Sequence, residues 1–107
     1  MEVKTFAYEA AGQALVIHLP EEIDHHNCKN LKYETDLLLE ENYIRRIVFD
    51  FSRTKFMDSS GIGLILGRQR SARTLGTTLQ IQHAPAQLRR VLQLAGIRCT
   101  DAAKTEE

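Results

Sequence analysis

A run of small polar residues, Asp58-Ser59-Ser60-Gly61, is the segment of the chain best suited to chemistry. A helical pattern of apolar residues follows the run, so it opens a helix, where the first backbone N–H groups lack partners. One interpretation is capping, because either serine or Asp58 can accept hydrogen bonds from those amides. No capping box supports a serine cap, since neither serine is followed three residues later by Glu or Gln. A serine at a helix N-terminus is also where the helix dipole and free amides would stabilise a phosphate, so the pattern favours a phosphoacceptor serine.

Two glycines, Gly61 and Gly63, stand in the first turn of the same helix. They do not complete a dinucleotide-binding fingerprint, because Leu66 occupies the position of the next required glycine. The chain also lacks the Gly-Lys-Ser or Gly-Lys-Thr of a phosphate-cradling P-loop. We therefore predict that these glycines allow another backbone to approach the helix start closely, either that of this sheet or that of a partner protein.

Hydrolytic and metal chemistry are the other possibilities that the residue types raise. A serine hydrolase would need Ser59 with His25 and Asp24, but the chain has no G-x-S-x-G elbow and no mark of an oxyanion hole. A metal site from His25, His26 and Cys28 is disfavoured, because adjacent histidines on a helix point about 100° apart. The sequence predicts no metal site and no cofactor. Asp24 fits either a helix cap or a partner or phosphate site, and the two roles are compatible.

Length and charge limit the class of protein. A chain of 107 residues corresponds to one domain. Fourteen Lys and Arg balance fourteen Asp and Glu, which argues against a nucleic-acid binder, whose surface is strongly basic. No apolar run approaches the roughly eighteen residues of a membrane span, and the N-terminal residues lack the apolar core of a signal peptide. We therefore expect a cytoplasmic protein that binds neither nucleic acid nor membrane.

The elements that must position Ser59 follow from hydrophobic periodicity and from turn residues. The order β-β-α-β-α-β-α-β predicts an α/β fold, with helices packed on a mixed four- to five-stranded sheet. We expect residues 1–101 to form the domain and residues 102–107 a polar tail. The predicted strands cover residues 3–9, 14–19, 44–51, 78–83 and 97–100, with a turn at residues 10–12 and a loop at 52–57. The predicted helices cover residues 25–41, capped by Asp24, a second stretch ended by Gly76, and a third from Pro85 to Gly96.

The stretch from residue 47 to residue 67 reads IVFDFSRTKFMDSSGIGLILG. Together with Glu22-Ile23-Asp24-His25-His26, it resembles the STAS family and, within it, the anti-sigma factor antagonists of spore-forming bacteria. The resemblance extends from about Leu15 to Gly96, which is most of the chain. Family members usually continue past the third helix with a full strand and a last helix. Only eleven residues follow Gly96 here, and residues 101–107 are not apolar enough for a packed helix, so the resemblance does not extend to that last helix.

The resemblance implies a regulator that is not an enzyme and that works by exchanging partners. In its unmodified form it would bind an anti-sigma factor that is also a serine kinase, and so release a sigma factor. The kinase would then phosphorylate the first serine of the motif, Ser59, and a separate serine phosphatase would reset the switch. A regulator of a general stress cascade, with a different kinase, and a small serine hydrolase are the alternatives. The expected partner-binding residues are Asp24, His25, Asp58, Ser60, Gly61, Ile62 and Gly63.

Overall fold

The computed structural model describes residues 6–41 and 43–99, which fold into three helices and six strands. The long strands and the helices occur in the order that the sequence predicts. No helix in this part of the chain is long and apolar enough to cross a membrane. The elements are β1 (Ala7–Ala11), β2 (Ala14–His18), β3 (Glu22–Ile23), α1 (Cys28–Glu41), β4 (Arg46–Asp50), β5 (Phe56–Met57), α2 (Ser59–Leu75), β6 (Thr78–Gln82) and α3 (Ala86–Leu94).

The main sheet has four strands in the order β1-β2-β4-β6. The β1–β2 hairpin is antiparallel, whereas β2, β4 and β6 run parallel and are joined through α1 and α2. Helices α1 and α2 therefore belong to two successive crossovers of the type that parallel strands require. The mixed four-stranded α/β sheet predicted from the sequence is confirmed.

Apolar residues that alternate along the strands build the core. Leu15 lies opposite Ile47, and Ile17 lies opposite Phe49, so one face of the sheet presents a continuous apolar surface. Ile81 of β6 extends that surface. Helices α1 and α2 bury their own apolar residues in the same core, and this packing holds the N-terminus of α2 at a fixed place. The helix residues that become buried are Leu31, Thr35 and Leu38 from α1, and Gly61, Ile65, Arg68 and Ala72 from α2.

The first hairpin turns later than predicted. Strand β1 continues through Ala11, and the turn is formed by Gly12 and Gln13, so the predicted turn at residues 10–12 is wrong. The reason is that Gly12 adopts a left-handed conformation with φ of 61°, which allows a tight two-residue connection. The predicted residues 3–5 of the strand lie outside the described part of the chain.

Two other boundaries differ from the prediction. Helix α1 begins at Cys28 rather than His25, because residues 25–27 form a turn that leads into it. The predicted edge strand at 97–100 is wrong for residues 97–99, which are irregular. Ile97 and Cys99 are buried in the core while Arg98 is exposed, so the side chains alternate as in a strand although the segment is irregular. Thr100 and the predicted tail lie outside the described residues.

A polar cluster joins the carboxyl ends of the three parallel strands. His18 and Asp50 are opposite each other in the register of β2 and β4, and His18 Nδ1 lies 2.7 Å from Asp50 Oδ2. His83, just after β6, places its Nδ1 2.9 Å from Asp50 Oδ1, and its φ is 63°. Glu9 Oε2 lies 3.0 Å from His18 Nε2, and the Ser52 amide donates to Asp50 Oδ1. The cluster therefore connects β1, β2, β4 and the segment after β6.

This cluster predicts a specific dependence of stability on pH. Hydrogen bonds from His18 to Asp50 and Glu9 raise the pKa of His18 above 6.5. Desolvation acts to raise the pKa of Asp50, but hydrogen bonds from His18, His83 and Ser52 outweigh it and lower that pKa below 3.8. The His18 contribution is complete below its unfolded pKa and is lost as pH rises through the folded value, whereas the Asp50 contribution is lost as pH falls below 3.8. Stability should therefore be greatest between these limits.

We expect the free energy of unfolding to fall by about 1 kcal/mol, roughly the contribution of one hydrogen bond, as pH rises above 6.5 through the folded pKa of His18. Urea denaturation at a series of pH values measures it. His18→Gln should remove most of this slope, because glutamine carries no proton that titrates in the range. An equally steep slope in His18→Gln would show that the dependence comes from other groups.

Candidate functional site

The N-terminus of α2 is capped by Asp58. The Asp58 side chain accepts from the backbone N–H of Ser60 at 2.8 Å and of Gly61 at 3.3 Å, and the helix begins at Ser59. Of the three candidate caps, the carboxylate takes the role and the serines do not. Ser59 is exposed, and no residue of the described ranges hydrogen-bonds to its hydroxyl. The site thus presents, at a helix N-terminus, a serine hydroxyl that does not cap the helix.

Asp58 also ties the helix start to a neighbouring loop. Its Oδ2 accepts from the His25 backbone N–H at 3.3 Å, and its own N–H donates to the Ile23 carbonyl at 3.0 Å. Desolvation acts to raise the pKa of Asp58, but backbone hydrogen bonds from Ser60, Gly61 and His25 outweigh it and lower that pKa. The carboxylate is therefore ionised at neutral pH, and it places a negative charge directly before Ser59.

Asp24 organises the loop on the other side. Its Oδ1 accepts from the N–H of His26 at 2.9 Å and of Asn27 at 3.2 Å, and its carbonyl accepts from the N–H of Cys28 at 3.0 Å. The capping role predicted for Asp24 is confirmed, although it acts on the turn before α1. The His25 and His26 rings are exposed and lie 4.1 Å apart between centroids. Hydrogen bonds therefore hold the backbone of the loop, which presents two imidazoles to solvent.

A short ribbon, which the sequence analysis missed, brings the two loops together. Strands β3 and β5 pair in parallel, with Glu22 opposite Phe56 and Ile23 opposite Met57. Because Asp24 follows β3 and Asp58 follows β5, this pairing places the loop of residues 24–26 beside the start of α2. Each strand has only two residues, too few for alternation to be visible in the sequence.

Phe56 is a candidate site residue that the sequence analysis did not single out. It lies in β5, two residues before Asp58, and 51% of it is exposed. Large aromatic side chains exposed beside a functional segment are typical anchors of protein interfaces. The residue type alone could have indicated Phe56, because it is a large aromatic residue in a predicted loop directly before Met57 and Asp58.

The structure separates the roles of the two glycines. Gly61 is buried, and a Cβ there would overlap Met57 Cγ and lie 3.0 Å from Ile23 Cγ2. The absence of a side chain at Gly61 thus lets α2 contact the ribbon closely. Gly63 is exposed, and nothing lies within 4 Å of an added Cβ. The predicted approach of another backbone is therefore wrong for Gly61, whose close neighbours are side chains of the ribbon, and Gly63 faces open space.

The predicted site residues fall into two groups. The structure brings Asp24, His25 and Asp58 together through backbone hydrogen bonds across the ribbon. Ser60 and Ile62 are partly buried on α2 beside exposed Ser59 and Gly63.

Within the described residues, no histidine hydrogen-bonds to Ser59, and the carboxylates of Asp24 and Asp58 accept from backbone amides. The nucleophile–base contact of a hydrolase triad is therefore not formed.

A comparison with known protein families identifies this arrangement. The family model described as "Mlab, STAS domain" matches residues 6–98. The chain belongs to the STAS family. Among the relatives of this STAS protein is the anti-sigma F factor antagonist of Lysinibacillus sphaericus, which is 31% identical over 96 residues and aligns over 89% of this chain and 81% of the relative. The protein of the same name from Paenibacillus polymyxa is 29% identical over 83 residues, with 78% and 71% covered.

Solved structures support the same relationship. The anti-sigma factor antagonist SpoIIAA in its unphosphorylated form matches with a TM-score of 0.77 and 30% identity, over 86% of this chain and 81% of that one. The Bacillus cell fate determinant SpoIIAA in the phosphorylated form matches with a TM-score of 0.73 and 30% identity, over 86% and 84%. This STAS chain therefore shares its fold with both forms of that protein.

Proposed function

We propose that this STAS protein is an anti-sigma factor antagonist of the sigma-F type, acting in the control of sporulation in the cytoplasm. In its unphosphorylated form it binds an anti-sigma factor and so releases a sigma factor. The similarity to two anti-sigma F factor antagonists and to SpoIIAA supports this function. The observation that carries it is the exposed Ser59 hydroxyl at the start of α2, free of capping because Asp58 is the cap.

Phosphorylation of Ser59 by the anti-sigma factor, acting as a serine kinase, ends the interaction. Ser59 is exposed, whereas Ser60 is partly buried and its N–H is held by Asp58. A kinase must enclose the acceptor hydroxyl, so the geometry favours the first serine over the second. A separate serine phosphatase then restores the binding form. Neither step uses catalytic groups of this chain, which acts as substrate and ligand.

The docking surface surrounds Ser59. It contains Asp24 and His25 from the loop before α1, Phe56 from the ribbon, and the exposed part of the first turn of α2. Gly61 lies beneath this surface and contributes by letting α2 contact the ribbon closely. At the N-terminus of α2 the surface comprises the cap Asp58 together with Ser59, Ser60, Ile62 and Gly63.

Displacement of the sigma factor tests this function directly. We expect the unphosphorylated chain, added to a preformed complex of anti-sigma and sigma factors, to release free sigma factor on a sizing column. Preincubation with a catalytic amount of the anti-sigma factor and ATP should abolish the release, while the same preincubation without ATP should not. A complex that stays intact at saturating, unphosphorylated protein would contradict the proposed function. Measurable esterase activity lost in Ser59→Ala would favour a hydrolase instead.

A further inference from the structure

A long groove between α1 and α2 begins at the docking surface and leads away from it. Its volume is about 910 Å³. His25 and Ser60 line the end next to Ser59, and Leu75 lines the far end. At a rise of about 1.5 Å per residue, the stretch of α2 from Ser60 to Leu75 is roughly 22 Å long. The groove thus has the length of about four helical turns.

The α2 side of the groove is made of small residues. Gly63, Gly67 and Ser71 follow one another at intervals of four residues and line it together with Leu64. Nothing lies within 4 Å of a Cβ added to Gly63 or to Gly67, so the helix backbone is open to contact there. Small residues at this spacing allow a second helix to approach closely, because the side chains that would hold it away are absent. Cys28 of α1 adds apolar surface on the opposite side.

The charges around the groove are mostly positive. Lys29, Lys32, Arg68 and Arg70 line it, against the single carboxylate of Asp36. Asp36 accepts from Lys32 Nζ at 3.2 Å and from Arg68 Nη2 at 2.7 Å. In the parts of the chain that the structure describes, no carboxylate lies within 4 Å of the charged groups of Lys29 and Arg70.

Arg68 is the unusual member of this set. Only 6% of it is exposed, and its Nε has no hydrogen-bond partner among the described residues. Burying a guanidinium with one donor unsatisfied is costly, because the lost hydration is not replaced. A negatively charged group bound in the groove would compensate this buried positive charge, in addition to pairing with Lys29 and Arg70.

We infer that this groove receives an acidic, amphipathic helical segment of the anti-sigma partner, so that the docking surface extends from Ser59 along α2. Such a segment would lay its apolar side on Gly63, Gly67 and Leu64 and direct its carboxylates toward Lys29 and Arg70. The inference rests on the proposed function. It is supported by charge complementarity, by the length of the groove and by its continuity with the surface around Ser59.

Two substitutions far from Ser59 test the inference. Gly67→Leu fills the groove, and Arg70→Glu reverses a charge on its edge. Matched controls on the same helix are Gln69→Leu and Arg73→Glu, neither of which lines the groove. All four variants should remain folded, since leucine has a higher helix propensity than glycine and both arginines are exposed. Thermal unfolding checks this for each variant.

The measurement is the Kd for the purified anti-sigma factor of the same organism, obtained by calorimetry. We expect Gly67→Leu and Arg70→Glu each to weaken binding by about tenfold or more and the controls to change it by less than about twofold. Groove variants that bind like the wild type, while Ser59→Asp binds poorly, would overturn the inference and leave the proposed function intact. A change of oligomeric state in Gly67→Leu with unchanged Kd would also overturn it, by showing that a second copy occupies the groove. A wild-type protein that does not bind the anti-sigma factor would instead contradict the proposed function itself.

Discussion

Ser59→Asp is expected to weaken binding of the anti-sigma factor by about a hundredfold, whereas Ser59→Ala should bind like the unmodified protein. The added carboxylate lies next to Asp58, in a surface that the partner would desolvate. At an effective dielectric near 20, one like-charge contact at about 4 Å costs up to about 4 kcal/mol. A hundredfold loss needs about 2.8 kcal/mol, so one imperfect contact of this kind is sufficient.

A phosphate on Ser59 should have a larger effect than aspartate. It carries about −1.5 to −2 charges and three strong acceptor oxygens. The nearest amides, those of Ser60 and Gly61, already donate to Asp58, so the phosphate competes with this cap for them. The helix dipole still favours a negative group there. We expect the fold to persist, as the shared fold with the phosphorylated Bacillus protein suggests, and the change to be felt mainly by the partner.

Calorimetric titration with the anti-sigma factor measures these affinities. Gln87→Asp, an exposed position in the first turn of α3, controls for the added charge alone and should bind normally. Ser60→Ala should bind and still accept phosphate at Ser59. Wild-type affinity in Ser59→Asp, together with wild-type affinity in the phosphorylated protein, would rule out an electrostatic switch at this serine.

The two glycines of the first turn should respond in opposite ways to the same added methyl group. Gly61→Ala is expected to lower the free energy of unfolding by about 1–2 kcal/mol. Its Cβ would overlap Met57 Cγ, and such overpacking destabilises a core by about 1–3 kcal/mol. The higher helix propensity of alanine offsets up to about 1 kcal/mol of this loss. Gly63→Ala should keep or slightly raise stability, because its Cβ meets open space.

The affinity for the anti-sigma factor should also distinguish the Gly61→Ala and Gly63→Ala variants. Gly63→Ala places a methyl on the docking surface and should weaken anti-sigma binding at an unchanged melting temperature. Urea denaturation and calorimetry on both variants provide the comparison. Wild-type stability in Gly61→Ala would show that the ribbon yields to the methyl, and wild-type affinity in Gly63→Ala would remove that residue from the docking surface.

The second helix shows what local signals can predict. Its N-terminus follows from Asp58, a side chain that accepts from amides two and three residues ahead, and its C-terminus follows from Gly76, which has a φ of 75°. The buried centre of β4 was likewise predictable, since Ile47, Val48 and Phe49 form an apolar, β-branched and aromatic run. Each of these signals resides within a few neighbouring residues.

The missed features depend on contacts that are distant in sequence. The pairing of β3 with β5 joins residues more than thirty positions apart, and nothing within either dipeptide indicates it. Gly61 and Gly63 have equivalent positions in the sequence motif, and only that ribbon makes one of them essential to packing. The His18–Asp50–His83 cluster likewise requires the register of three strands. The helix start that presents Ser59 was therefore predictable from the sequence, while the ribbon that packs beside it was not.

Mapping of the phosphate after incubation with the anti-sigma factor and ATP tests the central claim most directly. Mass spectrometry of the digested protein gives the site, and a pull-down of the same sample gives its binding. The account predicts phosphate on Ser59 and loss of the anti-sigma factor from the phosphorylated fraction. Phosphate on Ser60 with none on Ser59, or full binding by the Ser59 phosphoprotein, would contradict it.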